Sequence, residues 1–310
     1  FRGYLDLSVS EKSAIFSDLR LQANGLHVDF AAIRIYLNES RTLRFQTGVL
    51  GTFIGNVAAR RSSKVNPMLQ LPLMYFYFTN LSDDPFINNG DLISSRGQGG
   101  GMRMVSLGVY RPGAELLWVI RDKIDIQAGL FNSSPSNPYM VNIVERFNIA
   151  ARIGYRPVMG MNVGLSYSAG PYMSKEEMEL VGVTDADQKI IDFDFSYERG
   201  HFSFFSEAAY SEWIVPRASN SIAAASYYVE GKYKLLPRIF VSSRFSHMLF
   251  SKINYYDQMK SWDANVSRLE IGFGYYLERD TLAKIIYQKS WVENVNGRND
   301  YVAVEFSAGF

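Results

Sequence analysis

The residues best suited to chemistry are few and scattered. Three histidines, His27, His201 and His247, lie far apart and form neither a His-x-x-x-His nor a Glu-x-x-His spacing. Polar wall or interface positions are therefore predicted for them rather than metal binding. The chain has no cysteine, which excludes disulfides, thiolate metal sites, cysteine nucleophiles and haem attachment through Cys-x-x-Cys-His. No set of Ser, His and carboxylate residues stands out as a hydrolase site. The sequence therefore predicts a protein that is not an enzyme and has no cofactor of its own.

The sequence gives no support for a phosphate-binding loop or for a nucleic-acid partner. The glycine-rich run at 97–101 could cradle a phosphate, but Met102 stands where Gly-x-Gly-x-x-Gly would need its last glycine, so a flexible loop is predicted. The chain holds 32 Lys plus Arg against 31 Asp plus Glu, a net charge of +1. This balance gives no electrostatic basis for a nucleic-acid partner.

The informative charges recur at alternating positions, on what would be one face of successive strands. Seven are basic and seven acidic. Two interpretations remain open: ion pairs that hold neighbouring strands together, which we favour, and an ion filter with a transverse field. In either case these residues are predicted to line a pore: Arg34, Arg44, Asp125, Arg152, Asp192, Asp194, Glu207, Glu230, Lys232, Arg244, Arg268, Glu270, Lys284 and Glu305.

Strands with one apolar and one polar face would position these charges. In Ile190 to Glu198, Ile191 and Phe193 face one way while Asp192 and Asp194 face the other. Similar alternation recurs along most of the chain from about residue 147. Uniformly large apolar faces suit lipid, and small or charged faces suit water. A large soluble β-sandwich is the structural alternative.

The connections between strands predict an orientation and a strand count. Short charged turns alternate with longer polar stretches, which is typical of periplasmic turns and outer loops. The gap between the turns at Ser40 and Asp122 is about twice the usual period. We expect a long loop at about 54–112, with an inward fold as one option, in a single domain covering 1–310. About 14 strands are predicted, with 16 as the alternative, and either even number would leave both ends in the periplasm.

The last ten residues carry a resemblance to a known class of strand. Val302, Val304, Phe306, Ala308 and Phe310 share one face, and the sequence stops on an aromatic residue. This resembles the terminal strand of bacterial outer-membrane β-barrels, which the barrel-insertion machinery recognises. The resemblance implies an insertion signal at Val302, Val304, Phe306 and Phe310.

More of the chain resembles, loosely, the porin superfamily that includes phosphate-selective porins. The similar segments are Leu43 to Gly48, which leads into the long loop, Phe147 to Pro157, and Arg268 to Tyr275. The resemblance implies an all-β fold, a transmembrane antiparallel up-and-down β-barrel in the lipid of the bacterial outer membrane. Phosphate-selective members share a basic constriction, whereas the fourteen charges are balanced, so phosphate selectivity is not predicted.

Two functions fit this expectation. The first is passive passage of small hydrophilic solutes, with a homo-oligomer as one option. The second is a structural sleeve whose lumen holds a partner, such as a multihaem cytochrome of an electron conduit or an exported lipoprotein; haem would then belong to the partner. The apolar stretch 68–78 suits either a packed plug or a docking surface.

Overall fold

Within the described residues, fifteen antiparallel strands form one sheet in which chain neighbours are sheet neighbours, apart from a separate hairpin. A computed structural model describes residues 2–22, 25–51, 53–107, 111–137, 146–218, 221–293 and 299–308, with the backbone alone at 2, 20–22, 25–29, 111 and 299. The strands are β1 (Arg2–Ser10), β2 (Ser13–Gln22), β3 (Gly25–Tyr36), β4 (Leu43–Leu50), β5 (Arg111–Ile120), β6 (Ile124–Phe131), β7 (Asn148–Tyr155), β8 (Met161–Pro171), β9 (Asp187–Arg199), β10 (Phe202–Trp213), β11 (Ile222–Leu236), β12 (Ile239–Phe250), the hairpin β13 (Lys252–Tyr255) and β14 (Gln258–Ser261), β15 (Val266–Glu278), β16 (Thr281–Val292) and β17 (Asn299–Ala308).

Helices are confined to the connections. They are α1 (Leu73–Phe76), α2 (Asn89–Ser94) and α3 (Lys175–Val181), with one 3₁₀ turn at Ala58–Arg60. Capping boxes at Asn88 with Asp91 and at Ser174 with Glu177 begin α2 and α3, which satisfies backbone donors that such short helices cannot pair internally. None of the helices in the described ranges is long and apolar enough to cross a membrane.

Alternation along each strand separates two faces of the sheet. In β9, Asp192 and Asp194 are 1% and 0% exposed, whereas Ile191 and Phe193 are 49% and 48% exposed. We call the face with Asp192, Asp194 and their cross-strand partners the inner face, and the face with Ile191 and Phe193 the outer face. The outer face carries large apolar side chains on nearly every strand.

Connection lengths distinguish two rims. Tight connections at 11–12, 121–123, 200–201, 237–238 and 279–280, together with 37–42 and 156–160, form the short-turn rim. Arg121 and Asp122 have φ values of 51° and 56°, the left-handed geometry that matches two-residue hairpin turns to strand twist. The long connections at 51–110, 132–147, 172–186 and 251–265 form the opposite, long-loop rim.

The strand count differs from the sequence expectation. The sheet has 15 strands, one more than 14 and one fewer than the alternative of 16. The extra strand lies in the first 36 residues, where Glu11 and Lys12 join β1 to β2 without the Gly, Pro or Asn that usually marks a turn. Because the number is odd, β1 and β17 run in the same direction. Arg2 therefore lies at the long-loop rim and Ala308 at the short-turn rim, so the predicted placement of both ends on one side was wrong.

β1 and β17 are the two edges of the sheet. No ladder pairs them within the described ranges. The main apolar core lies beside the inner face, between the sheet and the connection that joins β4 to β5.

Candidate functional site

Cross-strand register brings the fourteen predicted charges to one face. Arg34 lies opposite Gln46 on the next strand, and Gln46 lies opposite Glu115 on the strand after that. Arg152 lies opposite Ser166, and such alignments continue strand by strand to Glu305. Direct neighbours include Asp194 with Glu207, Glu230 with Arg244, Arg244 with Glu270, and Lys284 with Glu305. All fourteen therefore belong to the inner face, while their role as a pore lining stays a prediction.

The structure divides these fourteen residues by their access to water. Five are half-buried: Arg34, Arg44, Asp125, Lys232 and Glu305. The other nine are at most 8% exposed: Arg152, Asp192, Asp194, Glu207, Glu230, Arg244, Arg268, Glu270 and Lys284.

The long connection from β4 to β5 covers the nine buried charges. We call its described part, residues 53–107, the inserted segment. Near its start, the Gly55 amide donates to Ser166 Oγ at 3.3 Å and Asn56 Nδ2 donates to Asp194 Oδ1 at 3.2 Å. Gly55 has φ +67°, and a Cβ there would collide with the side chains of Glu207 and Tyr75. Glycine thus allows the closest approach of the segment to the sheet.

The segment then runs along the inner face to the short-turn rim. Arg60 forms an ion pair with Glu230 at 2.7 Å and donates to Tyr228 Oη at 3.0 Å. Its guanidinium carbon lies 3.5 Å from the ring centroid of Phe205, a cation–π contact. At the tip, Lys64 contacts Asp280 in the turn between β15 and β16.

The chain returns along a second set of wall charges. Lys284 Nζ donates to the carbonyls of Ser63, Asn66 and Met68 at 2.8, 3.1 and 3.3 Å. Arg244 donates to the Gln70 carbonyl at 2.5 Å. Arg268 donates to Gln70 Oε1 at 2.7 Å and to the Leu71 carbonyl. These cations donate to backbone carbonyls of the segment, which buried backbone needs as hydrogen-bond partners.

After the tip, the segment enters an apolar cluster. The apolar stretch predicted as a plug or docking surface includes Leu73, Met74 and Tyr75, which are 3%, 0% and 0% exposed. They belong to one buried cluster with Trp213 and Trp262. The Tyr75 hydroxyl donates to Glu207, and burial raises the pKa of Tyr75 well above its usual value.

A single carboxylate anchors the segment at the long-loop rim. Asp263, in the connection before β15, accepts the backbone N–H groups of Asn80, Gly97 and Ala264 at 3.0, 2.9 and 2.6 Å. The Tyr77 hydroxyl also donates to it, at 3.2 Å. Burial raises the pKa of Asp263, and the four donors oppose that rise. The glycine-rich run at 97–101 therefore contributes to this anchor.

The wall charges also pair with one another. Arg152 forms a two-pronged contact with Asp194. Glu230, Arg244 and Glu270 form a chain across three strands, with contacts of 3.2 and 2.7 Å. The pairing of neighbouring strands that we favoured from the sequence is thus present in the wall.

A second apolar cluster lies against the inner face of β3, β4, β6 and β7, near the long-loop rim. Phe53 of the segment packs against Phe131, with ring centroids 5.6 Å apart. Ala32, Leu50 and Ala150 complete this buried group.

The remaining predicted residues lie away from this site. Val302, Val304 and Phe306 are 63%, 61% and 72% exposed on the outer face, and Phe310 lies outside the described residues; their role as an insertion signal stays a prediction.

The histidines stay apart. His201 Nδ1 lies 2.9 Å from the Lys234 carbonyl, and His247 Nδ1 lies 2.8 Å from Ser267 Oγ. The side chain of His27 is outside the described part of the structure. Among described residues, no group of three or more His, Cys, Asp or Glu could hold a metal ion.

Sequence reasoning missed the residues that dock the segment: Arg60, Gln70, Tyr75 and Asp263. They lie in connections, where no strand period assigns a face. The only available signals were the length of the loop and its apolar content.

Solved structures with this architecture are outer-membrane channels and related proteins. The DcaP outer-membrane channel of Acinetobacter baumannii matches with a TM-score of 0.62 and 11% identity over 99% of this chain and 83% of that one. The fold is that of an outer-membrane porin. OmpT, an outer-membrane protein of Vibrio cholerae, matches with a TM-score of 0.61 and 10% identity over 93% of this chain and 77% of that one. An anion-selective porin from Comamonas acidovorans matches with a TM-score of 0.60 and 12% identity over 99% of this chain and 84% of that one. No protein-family model and no curated protein matches the sequence.

Proposed function

We propose that this chain is a porin-like barrel of the bacterial outer membrane that gives passive passage to small hydrophilic solutes. The observation that carries the proposal is the one-sided docking of the inserted segment. Most of its polar contacts with the wall go to β8 through β17 and their connections, and those of Asp83, Met104 and Ser106 go to residues 135–137 in the connection between β6 and β7. On β3, β4 and β6, the inner-face side chains Arg34, Arg44 and Asp125 remain half-buried. A polar wall beside a fixed obstruction is how channels combine permeation with a size limit.

The outer face supports the membrane location. Ile191, Phe193, Ile271 and Phe273 are 43–50% exposed, and so large an apolar surface would promote aggregation in water. The same surface is favourable in lipid, where a charge at mid-depth would cost about 2–4 kcal/mol. This separation of faces accounts for the charges being on the inner side.

The sleeve hypothesis is less well supported. A cytochrome or lipoprotein in the lumen would need the inner face of β8 through β17, and the inserted segment already occupies much of it. The proposed passage requires no chemical step and no cofactor. The partners it requires are outer-membrane lipid, solutes and the barrel-insertion machinery; assembly into a homo-oligomer stays a prediction.

Liposome swelling with uncharged sugars tests the proposal. Vesicles that contain the purified protein should swell fastest in the smallest sugar and progressively more slowly in larger ones, because the segment limits the width of the path. Swelling no faster than in protein-free vesicles would contradict passive passage. The same result with a haem-containing protein that copurifies would favour the sleeve.

A further inference from the structure

We propose that Asp192 and Glu207 bind one proton between them, and that this proton keeps the start of the inserted segment docked on the wall. We call these two residues, on the inner face of β9 and β10, the acid pair. The inference goes beyond passive passage, since it assigns a proton-binding site whose occupancy depends on pH.

The acid pair differs from the other buried charges of the wall. Seven of the nine buried wall charges form ion pairs with one another, with Arg60 or with Glu305. Asp192 and Glu207 are 1% and 2% exposed, and neither forms an ion pair with a described residue. An ionised carboxylate that is buried without a cation is so unfavourable that such a group becomes neutral instead.

Strand register places the two carboxyl groups side by side. Glu207 lies opposite Asp194, and Ala209 lies opposite Asp192, so the two members of the acid pair are diagonal neighbours. Their carboxyl groups lie within hydrogen-bonding reach of each other. Ionised carboxylates only accept hydrogen bonds, so a bond between these two groups requires a proton on one of them.

The donors around the acid pair serve Glu207 alone. Glu207 accepts the hydroxyl of Tyr75 from the segment and, at 3.2 Å, that of Tyr228 on β11. It also accepts the backbone N–H of Asn56. No donor group of the described structure reaches either oxygen of Asp192. A proton on Asp192 supplies a hydrogen bond to Glu207 and removes one of two adjacent negative charges.

The other charged groups that face the acid pair already have partners. Arg152 on β7 forms its two-pronged contact with Asp194, and Arg60 of the segment pairs with Glu230. Burial raises the pKa of Tyr75 well above its usual value, so its hydroxyl remains a donor in alkaline buffer. The acid pair is therefore the group whose charge we expect to change.

The acid pair lies where the segment comes closest to the sheet. A Cβ at Gly55 would collide with the side chains of Glu207 and Tyr75. After loss of the shared proton, two adjacent ionised carboxylates would repel each other in a site closed to water. Their hydration requires the segment to withdraw from this part of the wall. The docked form is thus favoured at low pH and weakened as the pH rises.

Infrared spectroscopy of the purified protein tests for the proton directly. The wild type should show the carbonyl band of a protonated carboxyl group in neutral buffer, and the band should disappear as the pH rises. Asp192→Asn should abolish this band, and so should Glu207→Gln. Asp187→Asn should leave it unchanged, because this is the same substitution on β9 at a carboxylate that pairs with Arg146. A wild type without the band, or a band retained in either acid-pair variant, would overturn the proposal.

Conductance in planar bilayers tests the effect on the segment, and this readout rests on the proposed function. Wild-type conductance should rise as the pH increases from mildly acidic to alkaline, and Asp187→Asn should rise in the same way. Asp192→Asn should keep the low conductance throughout, because its amide supplies the hydrogen bond at every pH. An equal rise in Asp192→Asn, or a wild-type conductance independent of pH, would overturn the link to docking. Bilayers that stay closed would contradict passive passage, while the infrared band would still decide whether the acid pair holds a proton.

Discussion

At the scale of single residues, paired charges hold the wall and the inserted segment together. Arg152 and Asp194 are 7% and 0% exposed at their side chains, whereas Lys64 and Asp280 are 45% and 50% exposed. Removal of one partner leaves a buried charge uncompensated in the first pair and a hydrated charge in the second. The buried pair should therefore contribute much more to the stability of the folded protein than the exposed pair, although both join a cation to a carboxylate.

Arg152→Gln should destabilise the folded protein by about 3–5 kcal/mol, because Asp194 would lose its only cationic partner in the described wall. Lys64→Gln serves as the matched control and should have little effect, since exposed pairs contribute little. Urea unfolding in detergent, followed by the gel mobility of the folded form, measures both. Equal losses of stability in the two variants would contradict this assignment.

Sequence patterns predicted the faces of these residues but not their access to water. The two-residue period assigned Asp192, Asp194 and Glu207 to one face, and the structure agrees. Asn56 donates to Asp194 and Tyr75 donates to Glu207, and both donors lie in a connection without any period. No local pattern encodes a contact between residues more than 100 positions apart.

At the scale of elements, polar contacts attach the inserted segment to the inner face of the sheet. Asp263 holds it at the long-loop rim, and Lys284, which donates to three of its backbone carbonyls, holds it near the short-turn rim. The expected loop at about 54–112 corresponds to a connection at 51–110. The strands were predictable because each repeats one period, while the course of the segment follows from single contacts.

A disulfide between the segment and the wall tests that attachment. Ser63 Oγ lies 3.4 Å from Ser307 Oγ on β17, and the chain has no native cysteine. The double variant Ser63→Cys/Ser307→Cys should form a cross-link on mild oxidation, detected by a shift in gel mobility. Conductance should be the same before and after oxidation, because the segment is already docked. Failure to cross-link, or a channel that closes on oxidation, would contradict a fixed segment.

At the scale of the whole molecule, a repeated strand pattern specifies a porin fold. No protein-family model matches the sequence that folds in this way. Large apolar residues on one face and charged residues on the other predict this architecture. The count of 15 strands in the described residues was not predicted, because the turn at Glu11 and Lys12 carries no Gly, Pro or Asn. Within the described residues, the inserted segment lies against the inner face of the sheet.

We propose that the segment partly fills the lumen and leaves a passage beside it. Single-channel recording of the wild-type protein, compared with the variant in which a Gly-Ser linker replaces residues 58–71, tests this most directly. We expect small, steady, ohmic conductance from the wild type and a clearly larger conductance from the shortened variant. Closed bilayers with the wild type, or equal conductance in the two proteins, would contradict it.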